Sequence, residues 1–279
     1  MTELQKTEFD LLKIFVSICE ELNLTYYLVC GSALGAVKYK GFIPWDDDVD
    51  VALPRPDYEV FCSEAQKLMP ENVFLQNYKT DAEYPNFFGK MRNSNTTYIE
   101  KSARNINMNH GVYIDLFPLD GRPQTSKEKR RLDRKIRKLK RRISCSFEVE
   151  RSTVQKIAYS FRRMLGFHKK RQKYVMMLDE LLSSFPVYDS QKWCNYGNWQ
   201  GEKEYADRQQ YGEGEWALFE GLKVRIPQRY DDYLTQKYGD WRADLPDAQK
   251  RGHHYCDVCD LNRSYLYYLK KTAECSQEE

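Results

Sequence analysis

Tyr26-Tyr27-Leu28-Val29-Cys30-Gly31-Ser32-Ala33-Leu34-Gly35-Ala36-Val37, followed by Pro44-Trp45-Asp46-Asp47-Asp48-Val49-Asp50-Val51-Ala52-Leu53, is the stretch whose reading decides the fold. Its opening residues are aromatic and branched, the composition of a buried strand. Gly31-Ser32 reads as a turn, and Ala33 to Val37 as a short helical segment with Ser32 as its cap. Lys38 to Trp45 reads as a loop around Gly41 and Pro44. Asp48 to Leu53 alternates acidic and apolar residues, the period of a strand with one polar face. A strand thus delivers Gly31-Ser32 to a helix start. Backbone N–H groups there can cradle a phosphate, with Gly allowing close approach.

In an extended segment Asp46, Asp48 and Asp50 project to one face, and Asp47 and Val49 to the other. Three carboxylates on one face repel strongly unless a cation sits among them. Hard carboxylate oxygens suit Mg²⁺ or Mn²⁺, which bridge to substrate phosphates. Tyr113-Ile114-Asp115-Leu116-Phe117 places one further acid in an apolar run. If that strand lies beside the Asp48 strand, Asp115 completes a metal cluster. The cation would neutralise charge on a transferring phosphorus and orient an attacking hydroxyl. A solvated acidic loop accounts for Asp46 and Asp47, but poorly for Asp48 and Asp50 alternating with apolar residues.

Outward from this stretch, residues 3–22 read as an amphipathic helix, with Leu4, Leu11, Phe15, Ile18, Cys19 and Leu22 near one face. Pro56 opens a helix to about Leu68. Short strands are expected at Val73–Gln76, Phe87–Arg92, Thr97–Glu100 and Val112–Phe117, so the first half is a mixed α/β domain with a modest sheet. Leu132, Ile136, Leu139 and Ile143 mark an apolar stripe on a basic helix over 127–142. Further helices are expected over about 153–165 and 171–183, a strand at Leu222–Ile226, and a helix opened near Pro227.

The chain has 279 residues, 41% apolar and 30% charged, which excludes collagen-like, low-complexity and wholly disordered classes. The net charge of +3 hides an asymmetry. Residues 126–173 carry nineteen basic side chains against four acidic ones, and the remainder is net acidic. Such a field points to an anionic partner. Residues 126–146 hold no aromatic ring to stack bases, so nucleic acid is not the expected partner. No run approaches the ~18 apolar residues of a membrane span. The polar N-terminus does not read as a secretory signal. The eight cysteines lack framework spacing, as expected of reduced thiols in a cytoplasmic protein.

Val29 to Lys38, Gly41 to Asp50 and Arg55-Pro56-Asp57-Tyr58 together resemble the first block of the LicD family of phosphocholine transferases, relatives of the nucleotidyltransferase superfamily and of fukutin-related proteins. Gly111 to Asp120 is similar to the family's second block, and Pro227 to Trp241 to its C-terminal block. The resemblance spans about residues 8–255. It implies an α+β (mixed α/β) fold: a nucleotidyltransferase-like core with a small mixed sheet flanked by helices, a helical basic insertion and a C-terminal region. The corresponding division is 1–125 for the catalytic core, 126–190 for the basic helical region and 191–279 for an acceptor- or donor-binding region packed on the core. Carried onto this chain, Asp46, Asp48, Asp50 and Asp115 are the Mg²⁺ (or Mn²⁺) ligands, with Asp48, Asp50 and Asp115 catalytic. Gly31 and Ser32 bind the diphosphate, and Lys38, Lys90 and Arg92 are candidate phosphate contacts. Lys38-Tyr39 stands where the family often has Arg-His, so the bidentate fork of Arg is lost there.

The implied reaction is transfer of phosphocholine from CDP-choline to a sugar hydroxyl of a cell-surface glycan precursor, of teichoic acid or lipopolysaccharide type, releasing CMP. A phosphotransferase or nucleotidyltransferase using a CDP-alditol or NDP-sugar is the alternative. Family acceptors are often lipid-linked, so the basic helix is either a solvated face or a contact with an anionic membrane at its inner face. Lys90 and Arg92 have a second reading as solvent-facing charges on an edge strand. His253-His254-Tyr255-Cys256-Asp257-Val258-Cys259 reads mainly as a reduced C-terminal turn, with zinc or phosphate binding as lesser readings. Trp193, Trp199 and Trp216, with Tyr196, Tyr205 and Tyr211, read equally as core or as a choline cage.

Overall fold

The computed structural model describes residues 1–146, 161, 164–198, 201–247, 250, 252 and 256–275. In chain order the elements are α1 (Glu3–Glu21), β1 (Tyr27–Leu28), α2 (Cys30–Lys38), β2 (Asp50–Pro54), α3 (Arg55–Glu64), β3 (Val73–Gln76), β4 (Gly89–Asn93), β5 (Thr97–Glu100), β6 (Val112–Gly121), α4 (Ser126–Ser144), α5 (Arg171–Ser183), β7 (Lys192–Asn195), β8 (Tyr205–Asp207), α6 (Arg208–Tyr211), β9 (Glu215–Phe219), β10 (Leu222–Ile226), α7 (Tyr230–Tyr238), β11 (Cys256–Asp260) and α8 (Tyr265–Cys275). The class is mixed α and β, as the sequence implies.

A seven-stranded mixed sheet organises the molecule. Its centre is β6, ten residues long and buried throughout. One edge of β6 pairs in parallel with β2, setting Asp50 opposite Asp115 and Pro54 opposite Leu119. The other edge is shared: β4 pairs antiparallel along residues 112–116 and β7 along 119–121. β1 lies beyond β2, β3 beyond β4 and β8 beyond β7. Because β4 lies between β3 and β6, Lys90 and Arg92 are interior residues, and their edge-strand reading is wrong. β7 and β8 come from residues beyond 190 yet belong to the same sheet as the acidic strands.

The apolar stripe of α1 buries Leu11, Leu12, Phe15, Val16 and Ile18 against β-strand residues Val51, Leu53, Ile114 and Leu116. Thr2 and Gln5 close a capping box at its start. On the opposite flank, Leu132, Ile136, Leu139 and Ile143 of α4 pack with Val175, Leu178 and Leu182 of α5. The helix expected over 153–165 falls largely outside the described residues. β9 and β10 form a hairpin through Glu220-Gly221, both at positive φ, as a tight twisted turn requires.

Two short elements depart from expectation. The stretch over 26–30 is a strand at Tyr27–Leu28 only, because Cys30 turns to positive φ and starts α2 directly. The C-terminal Cys-x-x-Cys lies in a strand, β11, paired antiparallel with β5, rather than in a turn. Among the described residues no helix is long and apolar enough to cross a membrane.

Candidate active site

Asp50 and Asp115 meet because β2 and β6 run parallel in a register that sets them side by side. Asp115 N–H donates to Val49 O at 2.9 Å, which fixes that register. Asp50 is 5% and Asp115 9% exposed. Asp48, Asp47 and Asp46 are half-buried in the loop leading into β2. Ser32 joins the two halves of the motif: its Oγ accepts from Asp50 N–H at 2.8 Å. It therefore ties the first turn of α2 to the acidic strand and does not cap the helix, whose N-cap is Val29. The Cys30 N–H donates to Tyr233 Oη, so α7 braces the same helix start.

Gly31 has a steric reason to be glycine. A Cβ there would lie 2.6 Å from Asp46 Oδ2. The carboxylate thus reaches the first turn of α2 only because no side chain intervenes.

Lys90 sits directly opposite Asp115 on β4. Its Nζ is 3.2 Å from Asp115 Oδ1 and 3.4 Å from Glu100 Oε2, and it lies over the Tyr113 ring. Arg92 is fully buried, with Nε on Gln76 Oε1 and Nη1 on Gly111 O. It braces β4 against β3 and the loop before β6. Lys38 is at the far end of α2 from Gly31. Its ammonium donates to Arg242 O and Ala243 O and pairs with Asp244. The fold therefore gathers Gly31, Ser32, Asp46, Asp48, Asp50, Asp115 and Lys90 around the β2–β6 ladder, and spends Arg92 and Lys38 on other partners.

Two neighbours escape the sequence reading. Glu8 of α1 is 3% exposed. Burial pushes its carboxyl well above the usual carboxylate range, and the charges of Asp48, Asp47, Asp46 and Asp115 push it further. The signal was present: Glu8 falls on the apolar stripe of α1, between Leu4 and Leu11. The second is Glu100 at the end of β5, whose pairing with Lys90 of β4 joins two strands and is invisible to local periodicity.

The remaining candidates separate cleanly. Trp193, Tyr196, Tyr205 and Tyr211 are buried, with Trp193 stacked on Tyr211, so these four rings are core rather than a choline cage. Trp216 is exposed beside Lys223 and Arg225. Trp199, His253 and His254 lie outside the described residues. Cys259 is exposed and Cys256 half-buried on β11.

A model of the LicD/FKTN/FKRP nucleotidyltransferase domain matches residues 23–144, the span that contains the Gly31 turn and all four aspartates. Over 263 residues the chain is 28% identical to the lipopolysaccharide cholinephosphotransferase LicD of Haemophilus influenzae, covering 91% of this chain and 96% of that protein. Residues 23–144 thus carry a LicD-family domain. Shorter matches reach an uncharacterized protein of Rickettsia typhi, 32% identical over 63 residues, 23% of this chain and 19% of that one. Another, of Rickettsia prowazekii, is 35% identical over 49 residues, 18% of each. The LicD-family domain match ends at α4, whereas β7 and β8 complete the sheet from beyond it.

The donor set suits a hard divalent cation: carboxylate oxygens only, whose charges add to burial in raising the Glu8 carboxyl. Among the described residues no three His, Cys, Asp or Glu side chains stand close enough to enclose an ion as they are.

Proposed function

We propose that this chain is a Mg²⁺-dependent transferase that moves phosphocholine from CDP-choline to a sugar hydroxyl of a lipopolysaccharide- or teichoic-acid-type precursor. The observation that supports this most is the Asp50–Asp115 pair set side by side beside Gly31 and Ser32. With it goes the similarity to the Haemophilus cholinephosphotransferase along nearly the whole chain.

Asp46, Asp48, Asp50 and Asp115 would hold the cation, Mn²⁺ being an equivalent occupant. When bound, it supplies charge neutralisation at the transferring phosphate. The start of α2 directs backbone N–H groups at the donor's diphosphate. Lys90 orients Asp115 by ion pairing. Asp115 accepts the proton of the sugar hydroxyl as its oxygen bonds to the choline-bearing phosphorus. The bond from that phosphorus to the bridging oxygen breaks, and CMP leaves with that oxygen. Lys38, engaged by residues 242–244, would act on the donor only indirectly, by holding that segment against α2.

The test is turnover of CDP-choline with a lipopolysaccharide or teichoic acid precursor, following CMP release with and without EDTA. Release of CMP that stops on chelation supports the reading. Full activity in EDTA would remove the cation from it. Turnover only with a CDP-alditol or an NDP-sugar would replace the donor. The exposed basic face of α4, including Arg130, Arg131, Arg134, Lys135, Arg137 and Lys138, fits an anionic leaflet on which a lipid-linked acceptor would reside. Co-sedimentation with anionic vesicles that is insensitive to salt would reject that contact.

A further inference from the structure

α1 touches the acidic loop through its first turn, where Gln5 Nε2 donates to Asp46 O at 2.8 Å. Glu8 is three residues further along, on the same side of the helix. Among the described residues its Oε2 is buried and has no hydrogen-bond partner. An unpartnered buried carboxyl is costly, and a purely structural position would have been filled more cheaply by an apolar residue like its stripe neighbours Leu4 and Leu11. The four charges that act on it most strongly are all aspartates, three from the acidic loop and one from β6. Glu8 therefore faces the same region as the candidate ligands, but from an element on which the family's sequence blocks do not lie.

We infer that Glu8 is a fifth carboxylate of the site, a positioning residue that gives Oε2 to the divalent cation or to a water in its shell. The inference rests on the cation reading above. It adds α1 to the elements that build the site and explains why Gln5, besides capping the helix, is anchored to Asp46.

Mn²⁺ binding to the purified full-length protein, read from the free-Mn²⁺ electron paramagnetic resonance signal, tests it. Glu8→Gln keeps the size of the side chain and removes only its capacity for charge. It is expected to weaken Mn²⁺ binding about tenfold or more, with a metal-free melting temperature close to that of the wild type. Wild-type affinity in Glu8→Gln would overturn the role of Glu8 and leave the aspartate site standing. A wild-type protein that binds no Mn²⁺ would overturn the cation reading, and Glu8's role with it. A second measurement needs no variant. Fe²⁺ substituted for Mg²⁺, with ascorbate and peroxide, cuts backbone near its ligands. Cuts are expected near residues 46–50, near 115 and near 8, and cuts at the first two places without the third would overturn the proposal.

Discussion

Asp46 can approach the start of α2 because Gly31 lacks a side chain. Gly31→Ala would put a methyl group 2.6 Å from Asp46 Oδ2, so that carboxylate must move. We expect turnover to fall by about ten- to a hundredfold while stability changes little, since misplacement on the ångström scale is costly to catalysis and the new methyl meets a movable side chain. Steady-state kinetics beside thermal melts check this. Asp50→Asn and Asp115→Asn keep shape and remove charge. Each is expected to lower turnover by roughly a thousandfold, the scale of losing cation-supported charge stabilisation. Undiminished turnover in either variant would show that the pair is not catalytic. These aspartates were legible because they break an apolar alternation at fixed spacing. Glu8 left a fainter trace, one acid on the apolar stripe of α1, and its role shows only once its neighbours are known.

At the scale of elements, β2 and β6 are locked twice. Asp50 faces Asp115 at one end of the ladder, and five residues on Arg55 grips Asp120. Arg55 Nε and Nη2 each lie 2.7 Å from a different Asp120 oxygen, while Nη1 reaches Asp179 of α5 at 2.8 Å. Burial raises the Asp120 carboxyl, and Arg55 opposes that shift. Removing Arg55 would strand a fully buried carboxylate. Arg55→Met is expected to cost about 3–5 kcal/mol in urea unfolding, and Arg55→Met with Asp120→Leu to recover most of it. A double variant no more stable than Arg55→Met alone would show that the pair is not a clamp. The periodicity of β6 was legible only to Phe117. Beyond it Pro118 and Asp120 interrupt the apolar run, and pairing with β2 and β7, together with Arg55, carries the strand on to Gly121. In the same way β11 became a strand because β5 offers it an edge, not through its own composition.

Over the whole molecule, burial also creates a dependence on acidity. His110 is fully buried, with Nε2 against Ile106 O at 2.9 Å, and desolvation lowers its pKa below the ordinary value near 6.5. Above that pH both folded and unfolded chains hold it neutral. As pH falls through 6.5 the unfolded chain takes up a proton that the folded one resists, so stability is lost on acidification. Urea midpoints should drop between pH 7.5 and 5.5, and by less in His110→Gln; equal drops would assign the loss to other groups. The asymmetry of charge along the chain was visible at once from composition. That residues 192–207 would add two strands to the sheet was not, because β7 pairs with β6 residues more than seventy positions earlier and leaves no local trace.

The pairing of β5 with β11, and the grip of Lys38 on residues 242–244, have a consequence for how the protein is made. On the ribosome all four aspartates emerge well before the strand that pairs with β5 and the segment that engages α2. A product stopped between them would therefore carry the acids without the surrounding walls.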